Sequence, residues 1–178
     1  MSEKIDLATL WLSGCAGCHM SFLDQDELLL DIAKRVRLVY SPLVDTKVFP
    51  DHVDVTIVEG AVGNDEQLEL IKMVRERTSI LVAMGDCAVT GNVTALRNAW
   101  EDSDEVVLRR AYLELVDVNP QIPTDVPKML KNAHPVHEVV KVDYFIPGCP
   151  PPASLINYVL TELLEGREPV MEGRTKFG

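Results

Sequence analysis

The sequence predicts an α/β fold built on a parallel sheet, and three observations predict it. Runs rich in Val, Ile and Leu alternate with amphipathic stretches of about ten to fifteen residues, the rhythm of βαβ units. Neither an internal repeat nor a low-complexity tract interrupts that rhythm. The four cysteines follow the ends of three such runs: Cys15 and Cys18 after residues 7–14, Cys87 after 80–86 and Cys149 after 142–148. At 178 residues the chain fits one domain, 1–178, able to bury roughly 70% of the surface its unfolded form exposes.

Each element follows from its residues. The first run, 7–14, is nearly all apolar, as a strand buried on both faces must be. Phe22, Leu23, Leu28, Leu29, Leu30, Ile32 and Ala33 then line a helical face that ends in Lys34, Arg35, Val36 and Arg37, with charges suited to a helix C-terminus. Leu38, Val39 and Tyr40 make a short second strand. Residues 53–58 form the next strand, with Glu59, Gly60, Ala61, Val62 and Gly63 as the loop at its carboxyl end. Asn64 or Asp65 caps a helix over 66–75. The strand before Cys87 comes next, and another helix begins across 91–96. Between 103 and 139, Pro120, Pro123, Pro127 and Pro135 break any long element, which predicts a short helix or two among loops, packed over the sheet edge or against a partner. A strand returns over 139–146. The last helix spans 153–164, with Leu155, Ile156, Val159, Leu160, Leu163 and Leu164 on its apolar face and Gly166 beyond its end. The tail, 167–178, is polar and suited to ordering in a complex.

With 17 Lys and Arg against 28 Asp and Glu, the net charge of -11 argues against a nucleic-acid or anionic-membrane surface. No apolar stretch approaches the roughly 20 residues of a membrane span, and the first residues lack a basic region followed by a hydrophobic one. A cytoplasmic protein is therefore expected. In that compartment four cysteines point to a metal or redox site rather than to a disulfide framework.

If the cysteine-bearing strands are parallel neighbours, their carboxyl ends converge on one crevice, where open α/β sheets bind ligands. Four thiols meeting there match the needs of a cubane iron–sulfur cluster. Gly14, Gly17, Gly85, Gly91 and Gly148 beside them allow close backbone approach, and Pro150, Pro151 and Pro152 stiffen one wall. Other readings compete. A four-cysteine zinc site usually has two short chelating loops, whereas only Cys15 and Cys18 make a Cys-x-x-Cys. A thioredoxin-like dithiol would leave Cys87 and Cys149 unexplained. As small core hydrophobes, those two would not be flanked by Gly-Asp and Pro-Gly.

Trp11-Leu12-Ser13-Gly14-Cys15-Ala16-Gly17-Cys18, Glu59-Gly60-Ala61-Val62, Gly85-Asp86-Cys87-Ala88-Val89-Thr90-Gly91-Asn92 and Pro147-Gly148-Cys149-Pro150-Pro151 together resemble the small subunit of nickel–iron hydrogenases. The motifs span nearly the whole chain, and the stretch from Cys15 to Asp24 is most similar to cytoplasmic, bidirectional, NAD-linked forms of the cyanobacterial type. The resemblance implies a flavodoxin-like doubly wound sheet with one [4Fe-4S] cluster at the carboxyl ends of its strands, ligated by Cys15, Cys18, Cys87 and Cys149. It implies a partner large subunit that holds the nickel–iron site and splits hydrogen. It also implies electron exchange with an iron–sulfur and flavin diaphorase module that uses NAD(P) or ferredoxin. Longer small subunits continue into a second cysteine-rich domain, which is not expected here. Many relatives carry Glu two residues after the second cysteine; Met20 stands here, so a proton route through that Glu does not carry over.

The cluster-bearing subunit of respiratory complex I shares the fold and a late Gly-Cys-Pro motif but uses an adjacent Cys-Cys pair, unlike Cys15 and Cys18. FMN is a further candidate cofactor, with Ser13 and Gly14 as phosphate-binding candidates. Glu59, at a strand end, is a candidate proton relay or interface carboxylate. His19, next to a cysteine, is a candidate supporting or interface residue. His134 and His137 are expected at solvent or an interface, Trp11 beneath the cluster loop, and Met20, Phe22 and Leu23 against the large subunit. The alternative function is a stand-alone flavodoxin-like redox or zinc-binding protein.

Overall fold

A computed structural model describes residues 4–175 and Phe177. Its strands are Ile5–Trp11 (β1), Val36–Tyr40 (β2), Val53–Glu59 (β3), Val62–Asn64 (β4), Thr78–Met84 (β5), Met129–His134 (β6) and Tyr144–Ile146 (β7). Its helices are Gly17–Leu23 (α1), Leu28–Arg35 (α2), Asp65–Glu76 (α3), Asp86–Thr90 (α4), Asn92–Ala95 (α5), Ser103–Arg109 (α6), Val136–Val139 (α7) and Ala153–Leu164 (α8). The long apolar runs pair in parallel in the order β2-β1-β3-β5-β7. Counting only these strands, the order is that of a flavodoxin-like doubly wound sheet, which reverses direction beside β1 and opens its crevice at the carboxyl ends there.

Alternation along the strands sends each face to its own core. Val55, Ile57, Val82 and Met84 pack on one face with Ile156, Val159 and Leu160 of α8. Val58, Leu81 and Ala83 pack on the other with Ile71 and Val74 of α3. Such two-sided burial is what makes these strands continuous apolar runs. On α8 Leu155, Ile156, Val159, Leu160 and Leu163 are buried. Each fully buried side chain of this kind contributes about 1.5–3 kcal/mol, so this stripe anchors the helix. Asn64 caps α3, its side chain accepting from Gln67 N at 2.8 Å.

Several boundaries differ from the sequence reading. The helical face drawn from Phe22 to Arg37 divides into α1 and α2, because the chain turns between them, with Asp26 at φ 49°. Val36 and Arg37 belong to β2, where they pair with Ile5 and Asp6; ladder pairing there prevails over helical charge pattern. The loop after β3 contains β4, which pairs antiparallel with β6 from within the proline-broken segment. The strand drawn over 139–146 shortens to β7. Upstream of it, Asp143 makes a local clamp, accepting from Leu81 N at 2.9 Å while its own N–H donates to Leu81 O at 2.9 Å. From Arg167 the tail folds back along α8, where Val170 N donates to the Tyr158 hydroxyl and Arg174 lies 4.2 Å from the Tyr158 ring centroid.

Candidate metal centre

Each cysteine is delivered by a turn at the carboxyl end of a parallel strand. After β1, Leu12 N donates to Glu59 O at 2.9 Å, and Ser13 and Ala61 exchange backbone hydrogen bonds at 2.8 and 2.9 Å. The chain thus leaves the sheet at Cys15, and Ala16, at φ 67°, turns it into α1, whose first turn carries Cys18. Past β5, Gly85 at φ 85° opens α4, with Cys87 its second residue. Past β7, Gly148 at φ 139° leads into Cys149 and a cis bond to Pro150.

These turns are laced together. Asp86 N donates to Gly148 O at 2.9 Å, and the buried Asp86 carboxylate accepts from Gly148 N at 2.6 Å. Ser21 Oγ donates to Pro151 O at 2.6 Å, tying α1 to the Cys149 turn. Cys15, Cys18, Cys87 and Cys149 therefore line one cavity of about 80 Å³, with Glu59 and Asp86 on its wall. Gly85 is needed for space: a Cβ there would stand 2.1 Å from Cys18 Sγ, and one on Gly17 3.3 Å from Cys15 Sγ.

Burial, followed by Glu59 and the neighbouring cysteines, pushes the Cys18 thiol strongly upward. Burial also raises Cys87, partly offset by the nearby Thr94 hydroxyl. Four thiolates coexist here only where bound cations take up their charge. Among the described residues no group of three His, Cys, Asp or Glu side chains sits closely enough to hold a single ion. One zinc ion draws four sulfurs to about 2.3 Å, whereas a cubane spreads its thiolates around a larger body. The donor set, four cysteines lining one cavity, suits an iron–sulfur cluster.

Glu59 and His19 form a buried pair beside this cavity, 2% and 3% exposed. The Glu59 carboxylate accepts from His19 N and faces His19 Nδ1, both at 2.6 Å. His19 Nε2 lies 3.0 Å from Thr9 Oγ1, which donates to Ser41 Oγ at 2.8 Å. This carboxylate therefore grips the start of α1, immediately after Cys18.

Trp11 does not pack beneath the loop: it is 45% exposed and its ring stacks on His19, with centroids 6.1 Å apart. Met20 and Leu23 are exposed, but Phe22 turns inward against the core beneath α8. His134 pairs with Glu138 at 2.8 Å, and exposed His137 meets the Phe145 ring edge-on. Ser13 Oγ donates to Gln67 Oε1 at 2.9 Å, so the hydroxyl offered to an FMN phosphate is already engaged. The motif reading missed three supporting groups: Asp86, Ser21 and Asn92, whose Nδ2 lies 3.4 Å from Cys149 Sγ. Asp86 and Asn92 stand in the Gly85–Asn92 motif, but only the fold brings them to Gly148 and Cys149.

Comparison with known proteins places this geometry. The family model described as NADH ubiquinone oxidoreductase, 20 Kd subunit, matches residues 15–163. The delta subunit of the NAD-reducing hydrogenase HoxS from Cupriavidus necator is 42% identical over 170 residues, covering 92% of this chain and 80% of that protein. The G chain of the F420-non-reducing hydrogenase from Methanothermobacter marburgensis is 40% identical over 175 residues, covering 94% of this chain but only 56% of that relative. Among solved structures, a chain of an NAD+-reducing [NiFe]-hydrogenase in the H2-reduced state matches with a TM-score of 0.93 and 40% identity, over 99% of this chain and 100% of that one.

Proposed function

We propose that this chain, which belongs to the family of the NADH ubiquinone oxidoreductase 20 Kd subunit and is a hydrogenase small subunit within it, is the electron-transfer half of a bidirectional [NiFe]-hydrogenase. The observation that carries the proposal is the convergence of Cys15, Cys18, Cys87 and Cys149 on one cavity at the carboxyl ends of β1, β5 and β7. Those four residues would hold a single [4Fe-4S] cluster, and the whole chain, 1–178, would be one domain built around it. When bound, the cluster supplies one-electron redox chemistry between a nickel–iron site in a partner large subunit and a diaphorase module that uses NAD(P) or ferredoxin. The setting proposed for this complex is the cytoplasm.

The chain's own residues hold and shield that site. Asp86 and Gly148 fix the Cys87 and Cys149 turns against each other, and Ser21 fixes α1 to the second of them. Glu59 and His19 hold the loop that presents Cys15 and Cys18. Cys15 and Cys149 are exposed, with exposed Met20 and Leu23 on α1 and Val93 on α5 close by in the chain. Exposed candidate ligands together with exposed apolar side chains nearby in the chain support burial against a large subunit, which would exclude water. FMN is not part of the proposal, because Ser13 is engaged with Gln67. No described helix is long and apolar enough to cross a membrane.

The test is anaerobic purification of the complex with each cysteine replaced in turn by Ser. The reading expects a nickel-bearing partner to co-purify. It also expects all four variants to lose hydrogen-driven reduction of NAD(P) or ferredoxin while nickel stays bound. Absence of a nickel protein sinks the hydrogenase reading. Dependence on only one or two cysteines sinks the four-cysteine ligand set.

A further inference from the structure

Asn92 Nδ2 lies 3.4 Å from Cys149 Sγ. A ligand thiolate only accepts hydrogen bonds, so the amide NH2 is the group that faces it. The backbone is shaped to present this side chain. Asn92 has φ 36°, in the left-handed region that asparagine tolerates better than most residues, and it follows Gly91 at φ 84°. Gly91 N donates to Cys87 O at 3.0 Å, so the turn is tied to a second cysteine. Thr94 Oγ1 donates to Gly91 O at 2.6 Å and closes it from below.

The next residues are pinned to β6. Arg97 Nη1 donates to Ser103 Oγ at 2.7 Å and to Lys131 O at 2.9 Å. Asn98 bonds Ala133 in both directions, donating to its O at 2.8 Å and accepting from its N at 2.9 Å. The small antiparallel sheet of β4 and β6 thus serves as a frame for segment 92–99, at the head of which stands the amide facing Cys149.

We propose that Asn92 raises the reduction potential of the cluster by hydrogen-bonding to Cys149 Sγ, held in place by this frame. The inference rests on the four-cysteine reading above. Reduction by one electron increases negative charge on the cluster and its sulfurs. An N–H donor to a sulfur therefore stabilises the reduced form more than the oxidised form.

The test compares the holo-complex with its Asn92→Gly and Asn92→Asp variants, each poised over a series of potentials while the reduced-cluster EPR signal is followed. Asn92→Gly removes the donor but keeps a backbone at ease with positive φ. Asn92→Asp keeps the size and places an acceptor and a charge where the donor was. Iron content should be unchanged in both. The Gly variant should lose roughly tenfold in its reduction equilibrium, about 59 mV downward for one electron. The Asp variant should fall further. Equal potentials in all three proteins, with iron retained, overturn the proposal and leave the four-cysteine reading intact. Loss of iron in both variants also overturns it, since Asn92 would then be structural. If the Asp variant loses iron, the potential of the Gly variant decides; if the Gly variant does, Asn92→Ala takes its place, because the Asp charge alone lowers the potential. Wild-type protein without iron and sulfide overturns the underlying reading instead.

Discussion

Replacing Gly85 by Ala should remove the cluster while leaving the fold in place. A Cβ at this position meets Cys18 Sγ at 2.1 Å, so the sulfur must retreat by about 1.3 Å to regain ordinary contact at 3.4 Å. Ligand distances in a metal site tolerate about 0.2 Å, so Cys18 cannot remain a ligand. The second effect is backbone strain, because φ 85° with ψ 155° lies in a region essentially confined to glycine and costs a residue with a Cβ about 1–3 kcal/mol. For a chain of this size that lowers the apoprotein Tm by roughly 2–12 °C. Gly166→Ala separates the two effects: Gly166 has φ 69° but nothing within 4 Å of an added Cβ. Iron and acid-labile sulfide should fall to near zero in Gly85→Ala and stay at the wild-type level in Gly166→Ala, although both variants lose thermal stability. Full iron loading with an unchanged EPR signal in Gly85→Ala would refute the placement of Cys18. Equal iron loss in Gly166→Ala would refute the separation of clash from strain.

Three further outcomes are expected. In a double-mutant cycle on the apoprotein, Glu59→Ala and His19→Ala should show a coupling of about 0.5–3 kcal/mol by denaturant unfolding, since each removes one side of the buried contact between the His19 ring and the Glu59 carboxylate; no coupling would mean that this side-chain contact adds nothing to the hold on the loop. Burial alone would raise the Asp143 carboxyl, but the Leu81 N–H and the Arg75 guanidinium outweigh it and hold it below the usual carboxylate range. Asp143→Asn should therefore cost roughly 1–2 kcal/mol at neutral pH, discounted because the group is partly exposed. The gap should be full above about pH 4 and shrink as pH falls through the folded-state value; a gap that widens in acid would contradict the assignment. Ile156→Ala on the buried face of α8 should cost about 2–5 kcal/mol in thermal or denaturant unfolding, whereas a cost below about 1 kcal/mol would mean that α8 is not anchored by this stripe.

The parallel sheet and the convergence of the four cysteines were legible because burial on both faces writes long apolar runs and because turns at strand ends keep their glycines. The last helix was legible for a similar reason, its stripe from Leu155 to Leu163 being dense and bounded by Pro152 and Gly166. What stayed hidden depends on contacts distant in sequence. β6 has no regular apolar alternation, and β4 spans three residues; each is a strand only because the other lies beside it. Val36 and Arg37 resemble the end of a helix until Ile5 and Asp6 are placed alongside. The link from Glu59 to His19 spans 40 residues and that from Asn92 to Cys149 spans 57, so neither leaves a local pattern. Trp11 is expected beneath the cluster loop, yet its place at the end of β1 turns it outward onto His19.

The central claim is that four cysteines hold one cubane, and anaerobic iron and acid-labile sulfide analysis with EPR after dithionite reduction tests it most directly. The account predicts about four irons and four sulfides per chain and a reduced-cubane signal. Stoichiometric zinc without sulfide would contradict it.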